Sequence, residues 1–162
     1  MRILGVDPGT VNLGYGVVDG EEQTCLVCYG VLNFPPKIPM EERLRSLYTR
    51  LCEIIAEHQP DEVAIEAPFM GHNIRSALAI GRAQAVAILA AANQGLPVYY
   101  YSPAKIKQQV TNYGRSDKGQ IQEMVRIQLG LSHAHAGALA WRCPGFDVCH
   151  LQQSRLNRWL AS

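Results

Sequence analysis

The stretch Met1-Arg2-Ile3-Leu4-Gly5-Val6-Asp7-Pro8-Gly9-Thr10-Val11-Asn12-Leu13-Gly14-Tyr15-Gly16-Val17-Val18 decides the fold. Ile3, Leu4 and Val6 read as a short apolar strand over residues 2–6, with Asp7 at its C-terminal end. Pro8 and Gly9 break the run, and a second strand over residues 12–19 returns beside the first. A carboxylate at a strand end beside a tight turn is aimed out of the sheet, because burying it unpaired costs several kcal/mol. Asp7 therefore needs a metal, a phosphate-side water or a basic partner. The competing reading is a turn cap, ordinary chemistry for Asp before Pro-Gly.

Working outward, residues 25–33 read as a third strand, and Pro35, Pro36 and Pro39 mark the loop after it. Leu44, Leu47, Tyr48, Leu51, Ile54 and Ile55 then recur at helical spacing, which predicts a helix over about 40–58 with its Glu and Arg residues on the other face. Pro60-Asp61 ends it, and Val63-Ala64-Ile65 predicts a strand over 62–66 closing on Glu66. A second helix is expected over Asn73–Asn93, Ala-rich and apolar nearly all round, with one side on the sheet and the other on a second subunit. Val98–Tyr101 reads as a fifth strand, followed by short helices over Pro103–Val110 and Asp117–Leu129, the latter capped by Ser116. Three meandering strands followed by alternating helix and strand predict an α/β fold with a mixed sheet, in one domain spanning 1–162.

With 48% apolar and 18% charged residues, the chain is expected to be a soluble globular protein. No signal peptide is expected, because a strand begins almost at Met1. Arg82 and Gln84 interrupt the most apolar stretch, Ala77–Ala92, which argues against a membrane span. Five cysteines without a signal point to a reducing, cytoplasmic compartment. Cys25 and Cys28 form a lone CxxC inside a strand-like run and are expected to be buried or half-buried thiols. The net charge of +1 hides an asymmetry. Residues 1–70 carry five Lys/Arg against eleven Asp/Glu, and residues 71–162 carry ten against three. A polyanion-binding face beside an acidic, metal-attracting site would produce that division.

Glu66, in Val-Ala-Ile-Glu-Ala-Pro-Phe, repeats the pattern of Asp7: an acid ending an apolar strand, with Pro close behind. Parallel neighbours would set the two acids side by side. Like charges a few ångströms apart repel unless a cation sits between them, and Mg2+ with oxygen ligands meets that demand. Two-metal phosphoryl chemistry commonly uses three or four such carboxylates.

The motifs Gly-Val-Asp-Pro-Gly-Thr-x-x-x-Gly-Tyr-Gly-Val-Val, Ala-Ile-Glu-x-x-Phe-Met and Ser-Ala-Leu-x-x-Gly-Arg-Ala-Gln-Ala-Val resemble the RuvC family of Holliday-junction resolvases. Leu-Pro-Val-Tyr-x-Tyr, Lys107-x-x-Val110 and Lys118-Gly-Gln-Ile-Gln-x-Met-Val-Arg126 resemble it too, and the likeness runs with its spacing kept to about residue 130. The resemblance implies a ribonuclease-H-like fold: a five-stranded mixed sheet flanked by helices. It further implies a homodimer that resolves four-way DNA junctions by paired nicks in recombination and repair, using Mg2+ at two ions per subunit. A branch-migration complex is the implied partner. Asp7 and Glu66 match the catalytic metal-binding carboxylates, and Phe69 the aromatic that packs on disrupted bases near the junction centre. Lys105, Lys107, Arg115 and Lys118 fall where DNA phosphates are met. Independently, a loop aromatic near a metal site can stack on an unpaired base, and these basic residues with Arg126 face only Asp117 and Glu123 across their segment. A core Phe and solvated helix faces are the plainer readings. Actin-like ATPases share an Asp-x-Gly turn after the first strand, but they need a second nucleotide-clamping domain for which 162 residues leave no room.

After Leu131 the motifs depart from the family, which closes its metal site with a helix carrying Asp-Ala-x-Asp-Ala-Leu-Ala or a variant with His for the first acid. Here the chain reads Ser-His-Ala-His-Ala-Gly-Ala-Leu-Ala-Trp-Arg-Cys-Pro-Gly-Phe-Asp-Val-Cys-His. Back-translation of Trp141–Phe146, started one base later, permits Gly-Asp-Ala-Leu-Ala-Leu. Two readings stay open. One is a compensated pair of frame errors across residues 131–150, and the other a true divergence in which His133, His135 or Asp147 replaces the missing ligands. The divergent chain would be a junction-binding dimer impaired in cutting. The coding nucleotides of residues 131–150 separate the two readings.

Overall fold

The first strand, β1 (Arg2–Asp7), sits at the centre of the sheet because its sequence can be buried on both faces. Ile3, Leu4 and Val6 all lose their solvent contact. The computed structural model describes residues 1–20, 24–67, 74–102 and 127. Within them, β2 (Asn12–Gly20) and β3 (Thr24–Asn33) meander antiparallel from β1. Helix α1 (Met40–His58) leads to β4 (Glu62–Glu66), and α2 (Ile74–Asn93) leads to β5 (Val98–Tyr101). Strands β4 and β5 run parallel to β1, and the sheet order is β3-β2-β1-β4-β5. The predicted mixed sheet and its five strands are therefore present. The two helices expected after Ser102 lie outside the described residues, apart from Ile127.

One face of the sheet carries the main core. Leu4, Val6, Leu13, Val17, Leu32, Val63 and Ile65 meet Leu47, Leu51, Ile54 and Ile55 of α1 and Ala83, Ala87, Ala90 and Ala91 of α2. The small alanine face lets α2 lie close against α1, and Asn93 Nδ2 donates to the Tyr48 hydroxyl at 2.8 Å. Ile3, Val18 and Ala64 point to the opposite face and are fully buried there. Helix α2 is long and apolar enough to cross a bilayer by length and composition. Its residues Ala83, Ala87, Ala90 and Ala91 belong to the core.

Helix α1 ends as its sequence dictates. Glu41 and Glu42 in its first turn suit the positive end of the helix dipole. Gln59 closes it in the left-handed region at φ 47°, donating its N–H to the Ile55 carbonyl. One expectation fails here: not every charged residue of α1 faces outward. Arg43 is buried on the same stripe as Leu47 and Leu51. The lone CxxC needs a second correction, because Cys25 is exposed while Cys28 is partly buried, its Sγ 3.2 Å from His58 Nε2. The three described cysteines are not joined in disulfides, and among the described residues no group of three or more His, Cys, Asp or Glu is placed to hold a metal.

Arg2 ties the N-terminal end of β1 to its neighbours, donating to Asp19 Oδ2 at 3.0 Å and to the His58 carbonyl at 2.8 Å. Partial burial pushes the Asp19 carboxyl up, but the Arg2 hydrogen bond and charge, with the N-terminal ammonium, outweigh it and hold it below its ordinary 3.8. A carboxylate whose pKa is lower folded than unfolded stabilises the fold above the unfolded value. That contribution disappears as pH falls through the folded value. The pair is over a third exposed, so solvent screens it, and the wild-type Tm should exceed that of Asp19→Asn by only about 1–3 °C near neutrality. Thermal melts at about pH 6 and about pH 3 should show that margin shrinking toward zero in acid.

Candidate metal centre

Backbone pairing brings the two predicted acids together. β1 and β4 are parallel with Val6 opposite Ile65, so Asp7 and Glu66 occupy the next register position on adjacent strands, about 5 Å apart by strand spacing. Val6 and Ile65 point into the helix-covered core, and alternation sends both acids to the other face. Glu66 is buried to 9% exposure, and Asp7 is half-buried. On its other side Asp7 pairs with Gly14 of β2, a residue that sets no side chain directly beside the carboxylate. Tyr101 of β5 flanks Glu66 at 4% exposure.

Both strand ends are held by polar contacts. Gln84 of α2, itself buried, donates from Nε2 to the Glu66 carbonyl at 3.1 Å. The Ala67 N–H donates to the Tyr101 carbonyl at 2.8 Å. Beyond Asp7 the turn is packed tightly, since a Cβ on Gly9 would overlap the Asn12 carbonyl oxygen. The β3 side secures it through Phe34 N–H to the Val11 carbonyl at 2.7 Å and Asn33 Nδ2 to Asn12 Oδ1 at 2.6 Å. From the helix side, Arg43 donates to the Thr10 carbonyl at 3.0 Å.

Two hard oxygen donors on one face of a rigid sheet suit a divalent cation such as Mg2+, whose charge would relieve their mutual repulsion. Asp7 and Glu66 thus stand as two adjacent carboxylates on one face of the sheet. Phe69, Lys105, Lys107, Arg115 and Lys118 lie outside the described residues, as do Arg126, His133, His135 and Asp147. Arg43 and Gln84 are the site-supporting residues that sequence reasoning missed. For Arg43 a signal existed: positions 43, 47, 51 and 55 recur every four residues and mark it on the buried stripe of α1.

Comparison with known proteins places this sheet. The family model described as crossover junction endodeoxyribonuclease RuvC matches residues 3–143, extending past Leu131, where the motif likeness stops. RuvC of Dehalococcoides mccartyi is 49% identical over 154 residues, covering 94% of this chain and 92% of that protein. RuvC of Pelotomaculum thermopropionicum is 42% identical over 161 residues, covering 99% and 98%. The solved structure of T. thermophilus RuvC in complex with Holliday junction substrate superposes with a TM-score of 0.91 at 30% identity, covering 97% of this chain and 96% of that one. The sheet order and its flanking helices are accordingly ribonuclease-H-like. With the family matched across most of its length and the fold shared, the chain belongs to the RuvC family of crossover junction endodeoxyribonucleases.

Proposed function

We propose that the chain resolves four-way DNA junctions by paired nicks in recombination and repair, with Asp7 and Glu66 as the catalytic carboxylates that hold Mg2+. The observation that carries this reading is their side-by-side placement on parallel strands in a chain of this family. That the T. thermophilus relative was solved with Holliday junction substrate supports the choice of substrate. When bound there, Mg2+ would make a water nucleophilic near neutral pH and offset charge on the leaving oxygen. Asp7 and Glu66 would fix its position through the rigidity of the sheet. Phe69 would stack on an unpaired base at the junction centre, while Lys105, Lys107, Arg115 and Lys118 hold phosphates.

The working unit in this proposal is a homodimer of single-domain subunits, so that two sites face two strands of a two-fold junction. Supporting it, α2 buries its alanines inward while Ile74, Leu78 and Leu89 stay 74%, 58% and 52% exposed. Two Mg2+ per subunit, a branch-migration partner and a cytoplasmic location complete the reading, the last supported by Cys25, Cys28 and Cys52 standing as thiols outside any disulfide.

The test is a labelled four-way junction incubated with the purified chain and Mg2+. Symmetric nicks that disappear with chelator, on a junction but not on linear duplex, are the expected result. Junction binding without nicks would instead favour the impaired dimer, in which residues 131–150 fail to complete the metal site.

A further inference from the structure

We infer that Arg43 is a positioning residue for the carboxylate turn, holding the peptide that follows Asp7 so that the Asp7 side chain keeps its metal-binding orientation. The inference rests on the proposed role of Asp7 as a metal ligand. Three observations carry it.

First, Arg43 is a poor choice by stability alone. Its side chain is 9% exposed on the core-facing stripe of α1, within the first turns of the helix. Burial and the positive end of the helix dipole both oppose a cation there. Its Nε is buried with no hydrogen-bond partner among the described residues, so the charge is incompletely solvated by protein. A Leu or Met would fill similar volume without those penalties.

Second, the one described hydrogen bond of the guanidinium reaches the turn itself, donating to the Thr10 carbonyl at 3.0 Å across 33 residues of sequence. Thr10 is 7% exposed, so its carbonyl has little water to turn to if Arg43 is removed.

Third, the turn is held from two sides that do different things. Asn33 at the end of β3 and Phe34 just after it hold Asn12 and Val11, while Arg43 is the contact from α1 onto Thr10, three residues from Asp7. The close approach of Gly9 to Asn12 leaves the intervening peptide little room to settle in another way. Loss of the α1 contact should therefore be felt at Asp7 more than at the strand pairing, which β1 and β2 supply through their own ladder.

The experiment compares Arg43→Met and Arg43→Lys with the wild type and with Leu51→Ala, a core variant distant in sequence from the turn. Each is measured for Tm, for junction affinity without Mg2+, for Mn2+ binding to the DNA-free protein by electron paramagnetic resonance, and for cleavage against Mg2+ concentration. Arg43→Met should weaken Mn2+ binding and raise the half-saturating Mg2+ by about 3–10-fold, less than the roughly 10–100-fold lost with a group bonded directly to a ligand, because Arg43 acts through the Thr10 peptide. Its junction affinity should stay within about twofold of wild type, and Arg43→Lys should recover part of the metal binding. Leu51→Ala should lower Tm without moving either metal readout. Unchanged Mn2+ binding and Mg2+ dependence in both Arg43 variants would overturn the proposal, as would an equal shift in Leu51→Ala. Asp7→Asn runs in parallel: if it binds Mn2+ and cuts like wild type, the assignment of Asp7 fails first, whatever the Arg43 variants do.

Discussion

Asp7→Asn should reduce junction cleavage by at least about a hundredfold while leaving junction binding within about twofold of wild type. The substitution keeps size and most hydrogen-bonding capacity but removes the negative charge from one of two acids set at adjacent register positions. Metal affinity in such a site depends on ligand charge, and losing even an outer-shell partner costs about 10–100-fold, so a direct ligand should cost more. Binding should survive because the proposed phosphate contacts lie on residues 105–118, away from the carboxylates in sequence. Single-turnover cleavage beside a gel shift in chelator separates the two effects. Cleavage retained in this variant would remove Asp7 from the metal site, and lost binding would contradict the division of labour between acids and basic residues.

The largest effect on stability is expected from Leu51→Ala. Leu51 is 1% exposed at the meeting of α1 with the sheet, among side chains that pack from both helices. Truncating a buried Leu to Ala costs about 2–5 kcal/mol through lost transfer energy and the cavity left behind. For a chain of this size that corresponds to a fall in Tm of about 4–20 °C. Calorimetry or circular dichroism would measure it, and a fall below about 4 °C would mean that the core closes over the gap. Metal binding and catalysis, measured well below the melting range, should be little affected.

Most of the fold was legible because its strongest signals are local. Ile3-Leu4-Gly5-Val6 could not be a half-exposed strand, and the Leu47, Leu51, Ile54 and Ile55 stripe could only be the inner face of a helix. Asp7 and Glu66 were legible as a pair because each ends an apolar strand at a proline-marked break, and the parallel pairing of β1 with β4 places them side by side. What escaped was tertiary. Nothing in the residue type of Arg43 announces that its guanidinium reaches back to Thr10, since charge on a helix ordinarily means solvent. Gln84 hid in an alanine-rich run where its hydrogen bond to the Glu66 carbonyl depends on how α2 lies across β4. The exposure of Cys25 was missed because apolar surroundings in sequence do not decide which side of a strand is covered.

The spacing of the two acids belongs to the hydrogen-bond ladder between β1 and β4, not to side-chain rotamers. A ladder behaves as a ruler with coarse divisions. The strands cannot slide by a fraction of a residue, and a slip of one whole residue would swing an acid through the sheet into the apolar layer. Coarse adjustment of this pair is therefore closed to the backbone. Fine adjustment is left to side-chain length, where one methylene separates Asp from Glu on either strand. A chain built this way holds these two carboxylates in register for as long as the sheet itself survives, and a substitution that respects the ladder can retune the pair without scattering it.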